Sequence, residues 1–417
     1  MIDLIWLYPL SFLFLFLKIR NKKENIVYTL LVLMYFLSSV AAVYLHSYDF
    51  WYSTIQIMWY AVIFHLFFTL LILTSYKNIE IKFKSIPPVQ NSLAFSVLTW
   101  IIIVLGISSI IINIPKIDLT TMLYYSKELR VFETDGERGG FIDYIAFFGS
   151  RYYSLALVMA FYYIINYPKK KFIIIILLLC SLTIVVSGMI VAAREYIIKY
   201  LYLIGIMFLL YRKKLPKIWK KSLMISGVVF ATLGILMFLF ISYARFGDTI
   251  GRLGDEATKN SLIEYYGQGW INFSLLFDMF SAPLLPIGAL HFPFFSSGRV
   301  SMFNLNDVIN ANFSLNVFAT SLGSWMQDGG VLFAACISIL LASMIRFIQN
   351  RRPSVYNVYY LIWFYDYAFS YLFFFNDIFT GSRVLSVLVI VFFDFIDTHS
   401  THKNHFYKNV TLPYKSR

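Results

Sequence analysis

Charged residues are scarce in this chain of 417 residues. Asp, Glu, Lys and Arg together make up 14% of it, against about 25% in an ordinary globular protein. Hydrophobic residues make up 59% and aromatic residues 19%, and the mean hydropathy is +0.70. Because too little polar surface is left to coat a water-soluble body, the composition excludes a disordered chain, a secreted disulfide scaffold and a nucleic-acid-binding domain. It predicts an integral membrane protein.

Signatures of the common catalytic and metal sites are missing as well. The two cysteines, Cys180 and Cys336, lie in apolar runs and supply neither a disulfide framework nor zinc-ligand spacing. The chain has no HExxH, P-loop, GxSxG or Gly-rich dinucleotide motif, so we expect no metal and no cofactor. His65 lies in an apolar stretch, and we interpret it as a hydrogen-bonded packing residue.

Apolar stretches of about 20 residues, long enough to cross the hydrocarbon core of a bilayer, are abundant. We predict eleven spans, near 3–17, 26–45, 54–75, 92–113, 141–166, 172–190, 195–211, 222–244, 330–349, 356–375 and 384–397. The first is expected to be an uncleaved helix, since no basic region precedes it and no small-residue cleavage site follows it. The predicted fold is an all-α polytopic membrane protein in which residues 1–417 form a single integral membrane domain.

The basic residues predict the orientation, because cytoplasmic loops carry an excess of Lys and Arg. Of the 35 Lys and Arg residues, 23 lie in alternate connections and in the tail, near 18–23, 77–84, 169–171, 212–221, 346–352 and 403–417. These segments are expected to be cytoplasmic, which places the N-terminus outside and the C-terminus inside. The net charge of +13 is therefore a topology signal and does not indicate nucleic acid.

Two long connections fall on the outer side in this scheme, 114–140 and 245–329. Connections of this length are usually functional, so we expect them to form the active-site region. The larger one contains aromatic-rich stretches at 271–280 and 289–297, which are expected to lie in the membrane interface or to dip into it.

Four arginines lie at the predicted outer edges of spans or in the large loop: Arg194, Arg245, Arg252 and Arg299. A guanidinium binds phosphate oxygens in a bidentate manner and stays protonated when partly desolvated. The four arginines therefore favour a lipid-linked diphosphate as ligand. The alternative is that they reach to the interface or pair with nearby carboxylates.

Two further charged positions leave alternatives open. Glu195 and Lys199 are four residues apart and could form a local helix pair, or Glu195 could act as a base beside Arg194. Arg151 lies about ten residues into the predicted fifth span, where an unpaired charge costs about 3 kcal/mol or more. We expect Arg151 to face either an ion-pair partner or a cavity on a substrate pathway.

Four stretches in chain order resemble the Wzy-type O-antigen polymerases, the oligosaccharide repeat-unit polymerases of bacterial envelopes. They are SGMIVAARE (187–195), SYARFGD (242–248), EYYGQGWINFSLLF (264–277) and NVFATSLGSWMQDGGVLF (316–333). The first resembles the family's turn before an arginine at a helix start, and the third its Tyr-Tyr-x-Gly-Gly segment. The chain departs from the family pattern at Gln268, Phe318, Trp325 and Gly330.

The resemblance implies a glycosyltransferase in the bacterial inner membrane, with its active site facing the periplasm. Two repeat units on undecaprenyl diphosphate would meet there, and the growing glycan would pass to the non-reducing-end sugar of the new unit. The implied partners are undecaprenyl-diphosphate-linked oligosaccharides, membrane lipid and a chain-length regulator protein. O-antigen or a related surface polysaccharide would be the product.

The resemblance and the residue chemistry together suggest roles for individual side chains. Arg194 and Arg245 would hold the departing diphosphate, with Arg252 and Arg299 next to them. Candidate bases are Glu195, Glu264 and His291. Candidate substrate-binding residues are Tyr265, Tyr266 and Trp270, which could stack on sugars or simply pack at the interface, together with Asn316, Asp328 and Arg151.

Three rival functions are considered. A flippase for lipid-linked oligosaccharides would use a central polar cavity, and Arg151 is the main feature in its support. An O-antigen ligase would share span number and arginine placement, although the third and fourth stretches favour a polymerase. A sugar acyltransferase would need a histidine arrangement in the early spans that we do not find.

Overall fold

The computed structural model describes residues 3–20, 25–117, 141–190, 195–246, 253–279, 320–372 and 381–410. This described part of the chain consists of helices and connections and contains no strand. The helices are α1 (Leu7–Ile19), α2 (Ile26–Tyr48), α3 (Phe50–Ser53), α4 (Trp59–Ser75), α5 (Ile79–Lys82), α6 (Ser92–Asn113), α7 (Phe141–Arg151), α8 (Tyr153–Asn166), α9 (Lys171–Ser181), α10 (Thr183–Ile190), α11 (Glu195–Tyr211), α12 (Lys217–Phe246), α13 (Leu253–Met279), α14 (Ser321–Asn350), α15 (Val355–Ser370) and α16 (Gly381–Val410).

Six helical segments among the described residues are long and apolar enough to cross a membrane, and a seventh if the bent pair α7–α8 counts as one span. They are Ile26–Tyr48, Trp59–Lys82, Ser92–Lys116, Lys171–Ile190, Lys217–Met237 and Gly329–Asn350. The all-helical prediction is confirmed, and the span content is that of a multi-pass membrane protein. The bounds of α6 and α11 coincide with the predicted spans 92–113 and 195–211.

The chain divides into two compact units. Unit 1 comprises residues 1–82, 242–351 and 363–380, and unit 2 comprises residues 83–241, 352–362 and 381–417. In unit 1, α2 packs against α1 and α13, and α4 packs against α14. In unit 2, α6 packs against α7, α9 and α10, and α8 packs against α9.

Two helical segments break where the sequence predicts no break. The fifth predicted span, 141–166, consists of α7 and α8, which bend by 49° at Tyr152. Within α14 the backbone leaves the helical conformation at Gly330, where φ is 74°. A residue with a side chain is strained at this φ, and glycine is not. The fifth span is therefore two helices, with Arg151 as the last residue of the first.

The predicted outer loop 245–329 contains a long helix, α13, of 27 residues. Its second half is buried in unit 1: Trp270, Ile271, Phe273 and Leu276 are each at most 1% exposed. Polar residues are buried among them, including Gln268, Asn272 and Ser274. The sequence did not reveal this helix because its glycines and polar residues interrupt the apolar run.

Different polar contacts lie at the two ends of α2 in unit 1. At one end Glu80 accepts a hydrogen bond from the backbone N–H of Val27, and Lys82 donates to Asn350 at 2.8 Å. At the other end of α2, about 30 Å away at 1.5 Å per residue, His46 pairs with Asp3 at 2.7 Å. The connections near 20–25, 76–84 and 350 thus meet at one end of unit 1.

Unit 2 has the same arrangement of ends. Asn166 donates to the Ile86 carbonyl at 3.0 Å, and the Trp219 indole donates to the Pro168 carbonyl at 3.2 Å. These contacts gather the connections near 84–90, 166–171 and 212–219. The opposite ends of α6, α10 and α11 surround the cavity described next.

Candidate functional site

A cavity of about 170 Å³ lies in unit 2, where α7 meets α8. Its polar lining comes from Asn113 at the end of α6, Ser150 and Arg151 at the end of α7, Ser187 on α10 and Tyr196 on α11. The remaining lining is apolar or aromatic and includes Phe147 and Ile190. The bend between α7 and α8 allows Arg151 to face this space beside the ends of three other helices.

The local structure accounts for the position of Arg151. The residue ends α7, where the carbonyl groups of a last helical turn favour a cation. Its guanidinium carbon lies 4.7 Å from the centroid of the Phe147 ring, one turn earlier on the same helix, a cation–π distance. Arg151 therefore lines a cavity, and its role on a substrate pathway stays a prediction.

Close packing of α7 on α6 fixes the position of the residues at the end of α7 that line the cavity. A Cβ added at Gly149 would lie 2.3 Å from the Leu105 carbonyl oxygen and 2.7 Å from Ser109 Cβ. Ser109 also donates to the Ala146 carbonyl at 2.8 Å. Glycine at position 149 therefore lets α7 lie directly on α6, and this contact holds Ser150 and Arg151 at the cavity.

The first of the four stretches, 187–195, borders the same cavity. Ser187, Ile190 and Tyr196 line it, and Glu195 begins α11 next to Tyr196. Glu195 is partly buried, and Lys199 one turn later is 5% exposed. Arg194 lies outside the described residues.

The third motif lies on α13 in unit 1. A Cβ added at Gly267 would lie 2.6 Å from backbone atoms of Ala41 and Ala42, so this glycine allows α13 and α2 to touch backbone to backbone. Ser38 of α2 donates to the Tyr266 carbonyl at 2.6 Å and accepts from the Trp270 indole at 2.8 Å. Trp270 is 1% exposed, so in this structure it packs in the interior of unit 1.

His65 is enclosed in the same interior. It is fully buried, its Nδ1 lies 3.1 Å from the Tyr8 hydroxyl and its Nε2 lies 2.9 Å from the Thr320 hydroxyl. Its ring stacks on Phe273 at a centroid distance of 4.0 Å. The prediction of a hydrogen-bonded packing histidine is confirmed.

Glu264 lies at the end of unit 1 that carries the Asp3–His46 pair. The Tyr52 hydroxyl donates to Glu264 Oε1 at 2.7 Å, and Gln268 Oε1 lies 3.1 Å from the same hydroxyl. Burial and the neighbouring Glu264 carboxylate raise the pKa of Tyr52 above its ordinary value. Tyr52 therefore keeps its proton near neutral pH and remains a donor to Glu264. Tyr265 and Tyr266 follow, partly buried, with their rings edge to face.

The structure describes the other predicted site residues only in part. Arg245 lies near the end of α12 and Asp328 lies in α14, two residues before Gly330, but their side chains are outside the described part. Arg252, His291, Arg299 and Asn316 fall outside the described residues altogether. Their roles stay predictions.

Several polar residues of the Arg151 cavity and of the contacts with α13 are not marked by any pattern in the sequence. Asn113 and Ser150 line the Arg151 cavity, while Ser38 and Tyr52 bond to α13 from positions more than 200 residues away in the chain. Of the polar residues that line the cavity, Arg151 stands out in the sequence by its charge and Ser187 lies in the first of the four stretches. Among the described residues, no three His, Cys, Asp or Glu side chains are grouped as a metal site.

Comparison of the chain with protein-family models, with curated proteins and with solved structures finds no match.

Proposed function

We propose that this protein is a multi-pass glycosyltransferase of the bacterial inner membrane that polymerises lipid-linked oligosaccharide repeat units. The observation that carries the proposal is the Arg151 cavity. It combines a guanidinium with hydroxyl and amide groups, and two of its lining residues, Ile190 and Tyr196, lie on either side of Arg194 in the chain. A guanidinium with neighbouring hydrogen-bond donors is suited to stabilising a departing diphosphate.

The size of the cavity limits what it can hold. At about 170 Å³ it is smaller than the roughly 300–1,000 Å³ of typical sites for drug-sized ligands. A compact anionic group such as a diphosphate fits this volume, whereas an oligosaccharide does not. In the proposed arrangement the glycan and the polyprenyl chain therefore extend out of the cavity.

In the proposed reaction, the hydroxyl oxygen of the acceptor sugar attacks the anomeric carbon of the donor glycan. The bond between that carbon and the diphosphate oxygen breaks, and undecaprenyl diphosphate leaves with the electron pair. The hydroxyl proton passes to a base. Of the candidates Glu195, Glu264 and His291, we place Glu195 first because it adjoins the cavity-lining Tyr196.

The proposed topology has eleven spans, with the N-terminus outside and the C-terminus in the cytoplasm. The gathering of basic connections at one end of each unit supports it. The Arg151 cavity, at the opposite end of unit 2, would then face the periplasm, where lipid-linked repeat units are polymerised in this scheme. O-antigen or a related surface polysaccharide is the proposed product.

A flippase is the second candidate, since helices broken beside a charged residue are typical of substrate pathways in transporters. A gel of envelope glycolipids from a deletion strain, with and without the gene restored, separates the possibilities. A ladder that collapses to one repeat unit on lipid A-core supports the polymerase. Loss of every unit supports the flippase or a ligase, and an unchanged ladder refutes all three.

The same gel tests the diphosphate contacts. We expect Arg194→Ala and Arg245→Ala to abolish chain extension while the protein still inserts into the membrane, because each arginine is predicted to hold the departing diphosphate. Immunoblotting of membrane fractions measures insertion. Long chains of normal length in either variant would remove that arginine from the proposed mechanism.

A further inference from the structure

A second and larger cavity in unit 2 is almost wholly apolar. It measures about 250 Å³ and lies between α9, α11 and the first half of α12. Isoleucine, leucine and phenylalanine side chains form most of its wall, and Tyr200 and Trp219 stand toward its two ends. Apolar cavities of this kind do not hold water, so in a membrane their natural occupant is hydrocarbon.

The cavity is a wedge that closes at one end. A Cβ added at Gly234 would lie 2.9 Å from Ile197 Cγ2 and 3.1 Å from Leu201 Cδ1, so α11 and α12 touch there. Two turns earlier on α12, a Cβ added at Gly227 would meet no heavy atom of the described chain within 4 Å. The two helices therefore separate toward the start of α12 and leave an open groove.

The dimensions of the groove fit one leaflet of a bilayer. Along α12 its lining runs from Trp219 to Phe230, which at 1.5 Å per residue is about 16 Å. Half of a hydrocarbon core of about 30 Å is about 15 Å. The flanking helix α12 is peripheral, because only 11% of its apolar stretch is buried, against 39–50% for the other five spans. The groove is thus accessible from the surrounding membrane.

Positive charge is concentrated at the open end of the groove. Trp219 lies there and donates to the Pro168 carbonyl, and tryptophan at this position is typical of a membrane–water interface. Lys217, Lys220 and Lys221 are exposed on the same turns of α12, and Lys169–Lys171 follow Pro168. Clustered lysines at the end of a span attract anionic lipid headgroups.

We propose that this groove binds one acyl chain of an anionic phospholipid, with the headgroup against the lysines at the start of α12. The charge complementarity and the one-leaflet length support a phospholipid as the occupant. This site does not depend on the proposed function.

Native mass spectrometry of the purified full-length protein tests the site with phosphatidylglycerol and phosphatidylcholine as probes. The wild type is expected to retain one phosphatidylglycerol molecule in preference to phosphatidylcholine. Gly227→Phe fills the groove and is expected to abolish this retention. Gly205→Phe is the matched control, because Gly205 on α11 also has open space around it but does not line the groove.

A second variant tests the headgroup contact without changing the groove. Lys220→Gln combined with Lys221→Gln is expected to weaken phosphatidylglycerol binding about tenfold or more, because each lysine near a membrane surface contributes to anionic lipid binding. Circular dichroism of each variant confirms folding. Equal retention by wild type and Gly227→Phe, equal retention of the two phospholipids, preferential retention of undecaprenyl phosphate, or no retained lipid would each overturn the proposal.

Discussion

The contact between α2 and α13 in unit 1 and the Arg151 cavity in unit 2 use polar side chains in opposite ways. Ser38, Trp270 and His65 in unit 1 have hydrogen-bond partners within the protein, and their ring and hydroxyl groups are buried. In unit 2, Arg151 lines a cavity with room for a small ligand. Both regions contain residues that the sequence marks as functional candidates.

The difference separates residues that hold the fold from residues that can meet a ligand. A buried polar group with a partner in the protein stabilises one arrangement, because losing the partner leaves an unsatisfied group. A polar group that lines a cavity still has a face for a ligand. Trp270 is bonded and buried within unit 1, whereas Arg151 lines a cavity in unit 2.

The largest expected effect is that of Arg151→Ala. Removing one preorganised donor to a leaving group typically lowers a rate at least about 100-fold, or about 3 kcal/mol. We expect the glycolipid ladder to collapse while the amount of membrane-inserted protein is unchanged. Arg151→Lys keeps the charge but not the bidentate geometry, so it should give an intermediate ladder. A normal ladder from Arg151→Ala would mean that Arg151 has a structural role, as the buried polar residues of unit 1 do.

Gly267→Ala should have the next largest effect, this time on stability. The new Cβ would collide with the backbone of α2 at Ala41 and Ala42, and such overpacking costs about 1–3 kcal/mol. We expect a lower midpoint of thermal unfolding for the purified protein in detergent. Gly269→Ala is the control, since its Cβ would lie at 3.3 Å or more from its neighbours. Equal midpoints for the two variants would contradict the close contact of α2 and α13.

The sequence predicts apolar helices because their signal is local, and six or seven helical segments of the described residues, against eleven predicted spans, are long and apolar enough to cross a membrane. An apolar run of about 20 residues forms α6 almost independently of the rest of the chain. The helix α13 escapes prediction because its burial depends on partners elsewhere. Gly267 is explained only by Ala41 and Ala42, and the burial of Gln268 depends in part on the hydroxyl of Tyr52.

The candidate site is predictable only in its charged members. Arg151 stands out in sequence because an arginine within an apolar run is costly and needs a reason. The bend of α7 against α8 and the polar lining from Asn113 and Ser150 arise from tertiary packing, and no local pattern predicts them. Trp270 lies in the predicted outer loop 245–329 but is a core residue. Its burial also depends on tertiary packing, so the sequence does not predict it.

Ser38→Ala tests whether the unit 1 region is structural, with a smaller effect. The substitution leaves the buried Trp270 indole N–H without its acceptor, at a cost of about 1–2 kcal/mol. Ser39→Ala is a matched control, because Ser39 is equally buried and, among the described residues, its hydroxyl bonds to the Phe36 carbonyl of its own helix. Thermal unfolding should show a lower midpoint for Ser38→Ala alone. A similar loss in both variants would mean that Ser38 does not link the helices.

Tyr52→Phe has the smallest expected effect, and together with Glu264→Gln it tests whether Glu264 has a structural or a catalytic role. It removes the hydrogen bond to Glu264 and should cost about 1 kcal/mol in stability, with the glycolipid ladder intact, because the proposed base is Glu195. Glu264→Gln keeps an oxygen that can accept from Tyr52, so it should unfold at nearly the wild-type midpoint and also give a normal ladder. A collapsed ladder from Glu264→Gln with an unchanged midpoint would instead place the base in unit 1. Tyr52 would then be a positioning residue for catalysis rather than a structural contact.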